Sequence, residues 1–171
     1  TPITSNQTWT DAVALLHNNA VPDGELGAVI DPLTQSNLLA ANQALFNPNA
    51  QISKYFKTGQ FSGAALGVDE WYWDPNMPIH TTGTFTSSTP AVVNAGQTGS
   101  SLAIDGMGTY ALKAGDVFVI DGVYGVNPES YESTGVLQQF VLTADVAGTT
   151  TATLSISPSI IPSGQLKTVT A

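Results

Sequence analysis

The stretch DEWYWDPNMPIHTTG, residues 69–83, places three carboxylates, three aromatic rings and one of the chain's two histidines within fifteen residues. Three chemistries could be built from these types. Asp69, Glu70 and Asp74 could supply the carboxylate pair of a glycoside hydrolase, which needs two carboxyls about 5–9 Å apart across a cleft. Adjacent Asp69 and Glu70, however, point to opposite faces of a strand. Trp71 and Trp73 are two residues apart and share a strand face, so they could stack on a sugar with Asp69 as a polar anchor. The same spacing also fills a buried face, which is the commoner use of paired aromatics. His80 and His17 offer too few ligands for zinc in a chain without cysteine unless carboxylates complete the set. His17 falls near the end of a helix, where a histidine can meet the last carbonyls. His80 follows Pro78 and Ile79 in an extended segment, where a hydrogen bond fixing the local path is its expected role. No catalytic residue, cofactor or metal is expected.

Elsewhere the chemical signals are bland. GxSxG, GxxxxGK[ST] and the EF-hand loop do not occur. Lys113-Ala114-Gly115-Asp116 predicts a turn with Gly115 at positive φ. An apolar strand over 117–120 follows, ended by Asp121-Gly122 as a hairpin turn. Residues 127–135, NPESYESTG, hold Glu129, Tyr131 and Glu132 between a proline and a glycine and predict a protruding contact loop; residues 94–101 are a second candidate.

Composition narrows the function further. The chain has 171 residues and a net charge of −9; its four basic residues are Lys54, Lys57, Lys113 and Lys167, with no arginine. A nucleic-acid reader needs clustered Lys and Arg to displace counterions and Arg for bidentate base contacts, so specific nucleic-acid reading is not expected. The acidic balance disfavours anionic membranes, and no apolar run reaches the ~18 residues of a membrane span. Charged residues make up 10% of the chain against about 25% in a typical globular protein, a composition suited to a surface partly covered by neighbours. With no initiator Met, the chain reads as an excerpt or a processed product.

The elements that must position these residues change character along the chain. In residues 1–65 the periodicity is helical. Trp9, Ala12, Val13, Leu16 and Ala20 form one stripe, with Thr8 or Asn6 as its cap and residues 21–24 as its stop. Residues 26–30 read as a short strand. Asp31-Pro32 is a helix start, with Leu38, Ala41 and Leu45 as its buried stripe, and Asn47-Pro48 repeats the start signal ahead of Ile52, Tyr55 and Phe56. From Leu66 onward the period is two, with turn signals at strand spacing, which predicts an antiparallel sandwich or small barrel.

Three ordered segments, LKAGDVFVIDGVYGVNP (112–128), STGVLQQFVLTADV (133–146) and ATLSISPSII (152–161), resemble the coat proteins of P22-like tailed bacteriophages. GVDEWYWDPNMPIHTTGT (67–84) is similar to the segment leading into that family's inserted domain. AVIDPLTQSNLLAANQALFNPNA (28–50) is similar to the helix-bearing part before it. The resemblance spans residues 25–165. It implies an α+β, HK97-like capsid core over residues 1–84, rich in helix, carrying an inserted antiparallel β-barrel over residues 85–171 that lacks its closing strand.

It also implies a non-enzymatic shell subunit, found in the virion and, during assembly, in the host cytoplasm. Its partners would be copies of itself in hexamers and pentamers, and a scaffolding protein. In that setting Trp71, Trp73, Pro75, Pro78 and His80 form a structural seam at the exit from the core. Glu129, Tyr131 and Glu132 meet a neighbouring subunit. Residues 164–171 are expected to be mobile unless a neighbour holds them, beside an unpaired sheet edge, and the chain to fold without forming shells alone. The rival reading is a carbohydrate-binding or adhesin-type β-module using Trp71 and Trp73.

Overall fold

The computed structural model describes residues 3, 5–22, 24–41, 65–87 and 89–170. The chain divides into two compact units, Thr1–Pro78 and Ile79–Ala171.

The first unit opens with helix α1 (Asn6–Asn18). Its cap is Ser5, not Thr8 or Asn6: the Ser5 hydroxyl accepts from the Gln7 N–H at 3.2 Å, satisfying one of the orphan donors of the first turn. Asn19 closes the other end, its Nδ2 donating to the Leu15 carbonyl at 2.8 Å, and His17 lies in the last turn. The apolar stripe is only half used, since Trp9 and Val13 are half-buried while Ala12 and Leu16 are exposed.

Strand β1 (Gly27–Ile30) buries Ala28 and Ile30. Asp31 then caps α2 (Pro32–Ala41), its Oδ1 accepting from the Thr34 N–H at 3.3 Å. The Thr34 hydroxyl and the first N–H groups hold the Asp31 carboxyl below the usual carboxylate range. Leu38 is fully buried. The expected helical positions Leu45, Ile52, Tyr55 and Phe56, with Asn47-Pro48, lie outside the described residues. Strand β2 (Glu70–Trp73) pairs parallel with β1, with Gly27 opposite Glu70 and Ile30 opposite Trp73.

Among its described residues the second unit holds nine strands: β3 (Thr84–Phe85), β4 (Ala91–Val92), β5 (Gly99–Asp105), β6 (Thr109–Leu112), β7 (Val117–Val126), β8 (Ser133–Leu142), β9 (Val146–Thr149), β10 (Ala152–Ile160) and β11 (Val169–Thr170). Six of them form one sheet in the order β11-β7-β8-β10-β5-β4, and β3-β6-β9 form another. Alternation places one face inward. Leu102 and Ile104 of β5, Phe140 and Leu142 of β8, and Leu154 and Ile156 of β10 are buried in a single cluster with Val169.

The HK97-like core with an inserted barrel is overturned. Among the described residues strands make up 42% and helix 16%, with two helices, and the main sheet is a curled half-barrel. Period-two patterning governs the second unit, and in the first unit the short run 27–30 pairs with β2 as a sheet instead of serving a helical core.

Two smaller expectations also change. Asp121-Gly122 does not end a strand. It lies inside β7, where Val119 faces Gln139 and Tyr124 faces Leu137, so residues 120–123 stand opposite Gln138 alone. Gly122, at φ 78°, therefore serves an irregularity in the strand, a use of positive φ as natural to glycine as a turn. Within the C-terminal segment expected to be mobile, residues 168–170 are docked: Val169 pairs with Gly125 and is 2% exposed, and the Thr168 hydroxyl donates to the Ser159 carbonyl at 2.6 Å, while Leu166 is exposed.

Candidate functional site

Asp116, in the turn that precedes β7, gathers donors from three neighbours. It is buried although charged. Gly115 before it adopts φ +95°, as the turn requires, and a Cβ there would press on the His80 ring at 3.2 Å. The carboxylate accepts from the Lys113 N–H at 2.8 Å, from the Gly83 N–H at 3.1 and 3.2 Å, and from His80 Nε2 at 2.8 Å. Burial pushes the Asp116 carboxyl up. The donors Lys113 N–H, His80 and Gly83 N–H outweigh it and hold the group below its ordinary range. Gly83 must be glycine on spatial grounds, because an added Cβ would overlap the Ala111 carbonyl and Leu112 Cα. The geometry is that of a clasp: one carboxylate binds the segment 80–83 to the turn 113–116. Beside it Lys113 Nζ meets Asp145 at 2.7 Å, and Asp145 also accepts from the Ala114 N–H at 2.8 Å. The Ala114 N–H and the Lys113 ammonium hold Asp145 below its usual range.

A cavity of about 490 Å³ opens in the same unit, walled by Leu102, Ile104, Met107, Phe118, Ile120 and Leu154 among others. Its charged lining groups are Asp116 and Asp121. Asp116 is already engaged by protein donors, and the rest of the wall is mainly apolar.

No family model and no curated protein matches the chain.

The carboxylates of residues 69–74 do not converge. Asp69 accepts from the Leu26 N–H at 2.9 Å, Glu70 accepts from the Tyr72 hydroxyl, and Asp74 accepts from the Asn76 N–H at 2.8 Å. The Glu70 carboxylate, by holding the phenolic proton, raises Tyr72 above its ordinary range. Trp71 is half-buried and meets Trp9 edge-on, with ring centroids 4.9 Å apart and planes at 71°. Trp73 is 57% exposed, so the two tryptophans of β2 occupy different environments. Pro75 and Pro78 are exposed. Replacing Trp71 with Ala is expected to destabilise by about 2 kcal/mol, below the 3–5 kcal/mol of a fully buried aromatic. Urea melts check this, and a loss under about 0.5 kcal/mol, the range of ordinary surface changes, would assign Trp71 to an exposed platform.

The loop 127–132 is built by Asn127. Its Oδ1 accepts from the Glu129 N–H at 2.9 Å and the Ser130 N–H at 3.2 Å, and its own N–H donates to the Glu132 carbonyl at 3.0 Å. Tyr131 takes φ 57° and is 48% exposed, and Glu129 and Glu132 are exposed. The other candidate loop is mostly exposed and is tied at Gln97, whose side chain bonds both the N–H and the carbonyl of Ala103, at 2.6 and 2.8 Å.

The Asp116 clasp was not among the sequence candidates, although His80 was. The available signal was an aspartate flanking an apolar strand immediately after a positive-φ glycine.

Proposed function

We propose that the protein is a structural subunit of a closed shell, the coat protein of a P22-like tailed bacteriophage. The observation that carries this reading is where the three segments similar to that family fall. They form β7, β8 and β10, consecutive in one sheet and packed on one core. The connection between the first two is the exposed loop 127–132, whose backbone is set before any contact by the Asn127 bonds. A pre-formed loop meets a partner at a lower ordering cost. The acidic surface suits a shell that must contain nucleic acid without gripping it. Partners in this reading are further copies of the chain, arranged by heterologous contacts that close into rings, and a scaffolding protein.

Electron microscopy of the expressed full-length protein tests the proposal. Closed particles of uniform size are expected, and a protein that stays monomeric under every assembly condition opposes it. The contact loop has its own test. Replacing Glu129 and Glu132 together with Lys is expected to leave the melting of the subunit within about 0.5 kcal/mol while reducing particle yield. Normal shells from the double variant would remove these carboxylates from the interface.

The carbohydrate-binding alternative draws on the exposure of Tyr72 and Trp73, 55% and 57%. Trp71 offers its neighbour Trp9 an edge contact instead of extending that surface. Titration of tryptophan fluorescence with oligosaccharides separates the readings: saturable quenching lost in Trp73→Ala would favour the module.

A further inference from the structure

The sequence holds three Asp–Gly pairs, at 23–24, 105–106 and 121–122. Such pairs can rearrange because glycine places no side chain against the attack of its amide nitrogen on the preceding carboxyl. Asp23 lies outside the described residues. The other two sit in contrasting settings. Asp105 is half-buried at the end of β5 and pairs with Ala91 of β4. Gly106 is hemmed in, since a Cβ there would lie 2.5 Å from the Thr89 carbonyl oxygen. Asp121 is exposed, Gly122 has no atom within 4 Å of the place a Cβ would take, and both belong to the four residues of β7 that face Gln138 alone. Backbone outside a regular ladder opens locally at lower free energy than backbone within one.

We propose that Asp121–Gly122 is a site of spontaneous covalent modification, where the folded chain converts aspartyl to isoaspartyl. The Gly122 nitrogen attacks Asp121 Cγ. A C–N bond forms, the amide proton and the hydroxyl of the protonated carboxyl leave as water, and a five-membered imide results. Water then adds to one of the two imide carbonyls and breaks that C–N bond. Attack at the side-chain carbonyl restores aspartate. Attack at the main-chain carbonyl leaves the chain running through Cγ, one methylene longer, with the α-carboxylate as the new side group. No oxidant or other reactant is needed, because the water released is the water consumed. The irregular register of β7 can accommodate the extra backbone atom, whereas a regular ladder would lose its pairing.

The test is to age the purified protein at neutral pH and 37 °C and to locate isoaspartate by peptide mass spectrometry with electron-transfer fragmentation. Isoaspartate is expected at 121 in about tenfold excess over 105, the ratio set by a modest difference in local opening. Equal accumulation at the two sites, or an excess at 105, overturns the proposal. In urea the two sites should become level, and an excess at 121 that persists there would assign the difference to sequence neighbours and overturn the role of the fold. Asp121→Glu retains the charge but requires a less favourable six-membered ring. It should abolish the signal in its own peptide and leave the 105 peptide unchanged, and survival of the signal means the site is misassigned.

Discussion

Replacing Asp116 with Ala is expected to lower the free energy of unfolding by about 3 kcal/mol, because it strands donors that a single carboxylate now satisfies. The Lys113 and Gly83 N–H groups lose their acceptor, and the His80 ring loses the atom that orients it. Asp116→Asn should recover only part of the loss, since its amide nitrogen would face an N–H donor. The pH dependence supplies a second reading of the same residue. The folded-state carboxyl of Asp116 lies below its unfolded value, near 3.9 for an ordinary aspartate. Its contribution is therefore complete above that unfolded value and disappears as pH falls through the folded one. Denaturant melts at pH 7 and at progressively lower pH should show the wild-type and Asp116→Ala stabilities converging in acid. A gap between them that stays constant to the lowest pH would mean that the lost stability comes from packing and not from the charge.

The clasp shows why some of this molecule is legible in sequence and some is not. Asp31-Pro32 announces its helix locally, because the cap and the N–H it satisfies are three residues apart. Asp116 finds His80 and Gly83 across 36 and 33 positions, and no periodicity encodes a contact at that distance. Asp121-Gly122 fails for a different reason. Its local preference for positive φ is correctly read, but a turn and a strand irregularity both use it. The choice between them is made by β8, which continues to pair with β7 on both sides of the glycine. The inward positions of β8 and β10 follow directly from alternation. The docking of 169–170 on β7 depends on a partner edge that only the assembled sheet provides. Among the candidate site residues, His80 and the loop residues Glu129, Tyr131 and Glu132 were marked by type and setting. The carboxylates at 69–74 drew attention through proximity in sequence, and in space each one turns to a different donor, Asp69 to the Leu26 N–H across 43 positions, Glu70 to Tyr72 and Asp74 to Asn76.

The second large effect is expected at Phe140, which is fully buried and lies opposite Phe118 across the β7–β8 pair, with ring centroids 5.8 Å apart. Phe140→Ala should cost about 4 kcal/mol, the sum of lost transfer energy and of a cavity the sheet cannot collapse to fill. Phe140→Leu, which keeps most of the volume, should cost about 1.5 kcal/mol. A loss under about 1 kcal/mol for the alanine variant would place Phe140 outside a close-packed core. The comparison also bears on the proposed shell. Phe140 faces inward while Glu129 and Glu132 face solvent, so the two sets of substitutions should separate stability from assembly. Phe140→Leu subunits, measured at a temperature where they remain folded, should assemble with normal yield despite their lower melting point. The Glu129/Glu132 double lysine variant should melt normally and assemble poorly. If both variants lost assembly in proportion to stability alone, particle formation would be reporting the folded fraction, and the loop 127–132 would have no contact role of its own.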